Sequence, residues 1–144
     1  MRVRCIVWGL VLAYVLFNTV SYEHVDIELA PYIKDLKELT SAHCPSIKYP
    51  NQFIVELEDL SKDGWLGVCY TNGIRAQIKI DKEHFTKGSE ADIISTLAHE
   101  LAHCVLGLDL REDEKDYMNP YYVPLTKFDV LNQYITDVRK TCND

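Results

Sequence analysis

The chain has no cluster of lysine and arginine. Its formal charge is −7 over 144 residues. A phosphate-binding face needs basic residues gathered on one side, so nucleic acid is not an expected partner. There is no internal repeat and no low-complexity tract, which sets aside solenoids and disordered linkers. The longest apolar run, Ile6 to Phe17, is shorter than the ~20 residues that cross a bilayer comfortably. No two cysteines stand at the close spacing of a thiolate zinc knuckle, and Cys44 has no context that would make it an inhibitory pro-segment cysteine. After Asp116 the acids are only Asp129, Asp137 and Asp144, so a glutamate metal ligand on a C-terminal helix is excluded.

What is present is an ordinary globular composition, 47% apolar and 26% charged, in a length that suits one domain with a real core. Residues 1–21 place Arg2 and Arg4 ahead of the apolar run, the pattern of a secretory signal peptide. Small residues for a cleavage site are poor, with Thr19 and Ser21 the best offered, so an uncleaved N-terminal membrane anchor is the alternative. Arginines before the run and Glu23, Asp26 and Glu28 after it orient the domain outside. The expectation is an exported protein, periplasmic or secreted, or one anchored with residues 22–144 outside. Export makes the four cysteines beyond the leader, Cys44, Cys69, Cys104 and Cys142, candidates for two disulfides in any of three pairings.

Residues 22–26 read as a linker. Ile27, Ile33, Leu36 and Leu39 lie near helical spacing, which predicts a helix over about 31–41. "QFIVEL" reads as a strand and "SKDGW" as a turn. "LGVCYTNG" and "RAQIKID" are two β-prone runs about Asn72-Gly73, a hairpin signal. In the second, Ala76, Ile78 and Ile80 alternate with Arg75, Gln77 and Lys79, the pattern of a strand with one wet face. Ser89 and Asp92 propose a capping box for a helix over about 90–106. Its buried stripe is Ile93, Ile94, Leu97, Leu101 and Leu108, and Gly107 is its left-handed cap. A final helix over about 125–141 would turn Phe128, Leu131, Ile135 and Val138 inward. The order predicts an α+β domain.

The long helix carries the chemistry. "AHELAH" contains His99, Glu100 and His103. Residues four apart share a helix face, so the two imidazoles can serve one metal, with Glu100 ~100° around the axis beside them. Zinc takes neutral imidazole nitrogens at ~2.0–2.1 Å plus a third protein ligand, and leaves a position for water. A carboxylate beside it can act as general base. The plain alternative is two solvent-facing histidines on an ordinary helix. His24, His43 and His84 are far from the motif and read as surface residues.

"HELAHCVLGLDL" resembles the active-site helix of metzincin-type zinc metallopeptidases, and "DYMNPYY" resembles their Met-turn. More closely, the chain resembles small phage and bacterial metallopeptidases that read His-Glu-Leu-x-His-Cys and later Met-Asn-Pro or Met-Tyr-Pro. The similarity is specific over residues 95–122 and weaker back to about residue 50. The resemblance implies a small zincin-like domain: a small sheet, a long active-site helix, a Met-turn and a C-terminal helix. It implies a Zn2+ cofactor on His99 and His103, Glu100 as general base, Met118 as the Met-turn methionine, and a peptide or protein substrate. Tyr121 or Tyr122 would stabilise an oxyanion, or else pack under the helix. The third family ligand, a histidine, is replaced by Asp109, whose carboxylate is a competent zinc ligand. Leu106 stands where the family has glycine, and Gly107 follows. One residue inserted after His103 would move the ligand position to Leu110, which cannot bind metal. Glu112, Asp113, Glu114 and Asp116 are alternatives in the following loop. The competing reading is a catalytically inactive zinc-binding or protein-binding module at the membrane surface. A substrate strand added along the strand ending at Ile80 or Asp81 is the expected mode of peptide binding.

Overall fold

The structure is a computed structural model that describes residues 21–144; the signal-or-anchor reading of residues 1–21 falls almost entirely outside the described residues. In chain order the elements are β1 (Tyr22–Val25), α1 (Ala30–His43), β2 (Gln52–Glu58), β3 (Gly67–Thr71), β4 (Arg75–Asp81), α2 (Lys82–Lys87) and α3 (Glu90–Leu101). A π-helical turn (Ala102–Leu106) and α4 (Lys127–Asn143) complete it. The class is α+β, a single small domain.

One four-stranded sheet has the order β1-β2-β4-β3. β1 and β2 are parallel, β2 and β4 are parallel, and β3 runs antiparallel to β4. The alternation in β4 places Ala76, Ile78 and Ile80 wholly inside, beside Phe53 and Val55 of β2. Gln77 and Lys79 point the other way. There Gln77 donates to Glu56 at 2.6 Å, and Lys79 pairs with Glu58. The dry face joins one core with Ile33 and Leu36 of α1, Ile93, Leu97 and Leu101 of α3, and Val130 and Val138 of α4, and α4 itself packs on α1, α3 and the π-turn.

Four expectations are corrected. Residues 22–25 form strand β1 rather than a linker; three of the four are exposed, so no buried alternation marked it. Ile27 is 83% exposed, because it precedes the helix that starts at Ala30. Phe128 is 73% exposed. The inner stripe of α4 is Val130, Tyr134, Asp137 and Val138, so two polar side chains hold places that an apolarity count assigns elsewhere. Both are satisfied: Tyr134 shares a hydrogen bond with Thr40 at 2.9 Å, and Asp137 accepts from Arg111 and Tyr117. Finally, β4 lies between β2 and β3, so both its edges are paired and no substrate can add there. The free edge on that side belongs to β3.

The two disulfides are Cys44–Cys142, which ties the end of α1 to the end of α4, and Cys69–Cys104, which ties β3 to the π-turn. Each removes chain entropy from the unfolded state worth roughly 3–5 kcal/mol. They suit an oxidising compartment. Among the described residues no helix is long and apolar enough to cross a membrane.

Candidate metal and hydrolytic site

α3 starts where the capping residues place it. Ser89 Oγ accepts from the Asp92 amide, and the Asp92 carboxylate accepts from the Ser89 amide at 2.8 Å. The helix delivers His99 and Glu100 at its end, and His103 lies in the π-turn. Gly107 then adopts φ +69°, and the amides of Gly107 and Leu108 both close on the Ala102 carbonyl. A π-turn holds one residue more than an α-turn.

Each imidazole is held by a backbone carbonyl. His99 Nδ1 donates to Tyr117 O at 2.8 Å, and His103 Nδ1 donates to Leu108 O at 2.6 Å. A carbonyl only accepts, so Nδ1 carries the hydrogen on both rings and the two Nε2 atoms present lone pairs. Those atoms face each other at 3.1 Å, with the rings at 80°. Burial, then the neighbouring His103, holds His99 below the usual histidine range, which favours the neutral ring. Two lone pairs at this distance repel unless a proton or a metal cation lies between them. Two zinc–nitrogen bonds of ~2.0–2.1 Å at the tetrahedral angle span about 3.3–3.4 Å, close to the observed separation. The pair therefore fits a zinc ion.

Glu100 is 5% exposed. Burial alone pushes its carboxyl up to about 8, so its ionised form calls for a nearby cation. The carboxylate is roofed by β3: a Cβ at Gly67 would come within 3.0 Å of Glu100 Cγ and Oε1 and 2.9 Å of Thr96 Cγ2. His99, Glu100 and Thr96 line a cleft of about 380 Å3 between Trp65–Gly67 and the loop segment Asp116–Val123.

Met118 is fully buried, directly after the residue whose carbonyl orients His99. Tyr117 is fixed from α4: its amide donates to Gln133 Oε1 at 3.0 Å and its hydroxyl to Asp137 Oδ2 at 2.8 Å. Arg111 forks onto Asp137 at 2.9 and 2.7 Å and also donates to Asp116 at 2.9 Å. Tyr121 and Tyr122 are 81% and 58% exposed and line the cleft; they do not pack under the helix. Tyr122 donates to Asp92 at 2.8 Å.

The structure brings His99 and His103 together and places Glu100 with His99 in the wall of the cleft. It does not bring Asp109 to them: Asp109 is exposed, and among the described residues no three His, Cys, Asp or Glu side chains converge as a metal group. Leu110 is 51% exposed. Of the loop acids, Glu112, Asp113 and Glu114 are exposed, and Asp116 alone lines the cleft. His84 bonds Thr96 at 2.9 Å, His24 pairs with Asp26, and His43 meets Arg139. Sequence reading missed Gly67, Trp65, Asp92 and the Tyr117 carbonyl as parts of the site. A glycine inside the β-prone run "LGVCYT" was the one available signal, since glycine weakens a strand and marks close approach.

No family model, no curated protein and no solved structure matches this chain.

Proposed function

We propose that the chain is an exported zinc-dependent metallopeptidase, with Zn2+ held by His99 and His103 and Glu100 as general base. The observation that carries this reading is the pair of Nε2 atoms facing at 3.1 Å, each fixed by a carbonyl behind it. A zinc ion bound there supplies Lewis-acid polarisation of a carbonyl and acidifies water. The residues of the chain do the rest. The two carbonyl contacts hold the imidazoles in one tautomer and orientation. Glu100, enclosed beneath Gly67, takes a proton from the attacking water and returns it to the leaving amine. The free edge of β3 runs beside the cleft and can hold an extended peptide by added-strand pairing. Asp109 is the third ligand proposed from spacing, and Asp116 is the competitor that already lines the cleft.

The test is the zinc content of the purified full chain, beside His103→Ala, Asp109→Ala and Asp116→Ala. About one zinc per chain is expected, lost in His103→Ala and in one aspartate variant. Folded protein with no zinc above background sinks the proposal. The second reading, an inactive zinc-binding or protein-binding module, is favoured by the lack of an assembled three-ligand group. It is distinguished by zinc that binds without peptide hydrolysis.

A further inference from the structure

The site cleft continues into a second one. A hollow of about 480 Å3 lies over the start of α3 and the α2 turn. The two share the wall of Gly64, Trp65, Leu66, Asp92 and Tyr122. They form one groove that leads away from Glu100.

The charge balance of this groove is one-sided. Its only lysine or arginine is Lys87, which is paired with Glu83. Asp116 shares the single charge of Arg111 with Asp137. Asp81 turns both oxygens onto backbone amides, those of Leu60 and His84, at 2.9 Å. Among the described residues Asp92 has no lysine or arginine partner, and the one base that acts on it is His84 in the same hollow. Asp92 Oδ2 accepts from the Ser89 amide and hydroxyl, and its Oδ1 accepts from the Tyr122 hydroxyl alone. A carboxylate oxygen has two acceptor sites, so one on Oδ1 is free. Ser89 first, then the Tyr122 hydroxyl and His84, hold Asp92 below the usual carboxylate range against the burial that raises it. The anion stands in the same wall as the half-exposed rings of Trp65 and Tyr122. A carboxylate with aromatic faces is the environment that takes an ammonium or guanidinium group and the methylene stem that carries it.

We propose that this wall is a subsite for a lysine or arginine side chain of the peptide substrate, so that the enzyme selects basic peptides. The inference deepens the peptidase reading and rests on it.

The test uses zinc-loaded full chain carrying Glu100→Gln, which stops turnover, and three blocked hexapeptides that differ at one central position: arginine, norleucine or glutamate. Calorimetric titration is expected to give the arginine peptide a Kd about tenfold below norleucine, with glutamate weaker still, and a gap that narrows as salt rises. Added Asp92→Asn should remove the gap between the arginine and norleucine peptides. Because Asp92 also caps α3, Trp65→Ala serves as a second variant at an exposed side chain, and it should weaken the arginine peptide several-fold. Equal binding of arginine and norleucine, no measurable binding of the arginine peptide, or a gap that survives both variants overturns the subsite. Mass spectrometry of the same peptides with wild-type protein separates the two claims. Cleavage without arginine preference overturns the subsite and leaves the peptidase standing. Arginine-selective binding without cleavage supports the subsite and overturns the peptidase.

Discussion

The two faces of α3 and its π-turn are built on opposite plans. On one, His99 and His103 are each fixed by a backbone carbonyl, and the loop that supplies them is clamped to α4 by Gln133, Asp137 and Arg111. On the other, Glu100 is as deeply buried as a core residue and is contained by shape, under a glycine on an edge strand. Metal ligands gain from being held still, because every displaced ångström costs affinity. A general base must accept and release a proton, and permanent hydrogen bonds to its charged form would oppose that. The difference teaches that one helix can hold two imidazoles by hydrogen bonds and a carboxylate by enclosure side by side.

The comparison makes four predictions. The largest effect belongs to Glu100→Gln: kcat for peptide hydrolysis should fall by about 10²–10⁴ with zinc content unchanged. Loss of zinc in that variant would show that Glu100 belongs to the fixed face after all. Gly67→Ala comes next. Its Cβ must displace Glu100 or Thr96, so activity should drop roughly 10–100-fold while competition with a chelator gives the wild-type zinc affinity. Full activity would mean that the roof over Glu100 yields without cost.

Asp137→Asn addresses the opposite face from a distance. It weakens the fork from Arg111 and the anchor of Tyr117, so zinc affinity should fall about tenfold, with the remaining bound enzyme near wild-type kcat. A change in kcat with unaltered affinity would contradict the assignment of that network to the histidines. The smallest effect concerns acid stability. Burial pushes Asp137 up, but Arg111 and Tyr117 outweigh it and hold its carboxyl below the usual range. A carboxyl depressed in the folded state contributes stability that is fully present above its unfolded value, ~3.9, and is lost as pH falls through the lower folded value. Denaturant midpoints measured from pH 6 down to pH 2 should therefore fall below about pH 4 in wild type and fall less in Asp137→Asn.

Much of this molecule was legible in its residues. Alternation in "RAQIKID" identified β4, the Ser89–Asp92 spacing identified the start of α3, and Gly107 its end. All three are local: they rest on side-chain period, a cap geometry within one turn, and the φ that glycine tolerates. The neighbours of each strand were not legible, because a parallel and an antiparallel partner leave the same alternation. For that reason β4 was read as an edge when it is internal. Phe128 failed for a related reason: the inward face of α4 is set by partners of Tyr134 and Asp137 that lie 94 and 26 residues away, at Thr40 and Arg111.

By itself the sequence determined that His99, Glu100 and His103 fall in one helical segment, that Gly107 comes four residues after His103, and that four cysteines follow Cys5. These follow from helical period and from counting. Only the tertiary structure decided which carbonyls lock the two imidazoles, that Gly67 roofs Glu100, and that Asp116 rather than Asp109 reaches the cleft. It also decided that the cysteines pair as Cys44–Cys142 and Cys69–Cys104. Each depends on contacts between segments distant in the chain, and no local period encodes where such segments meet.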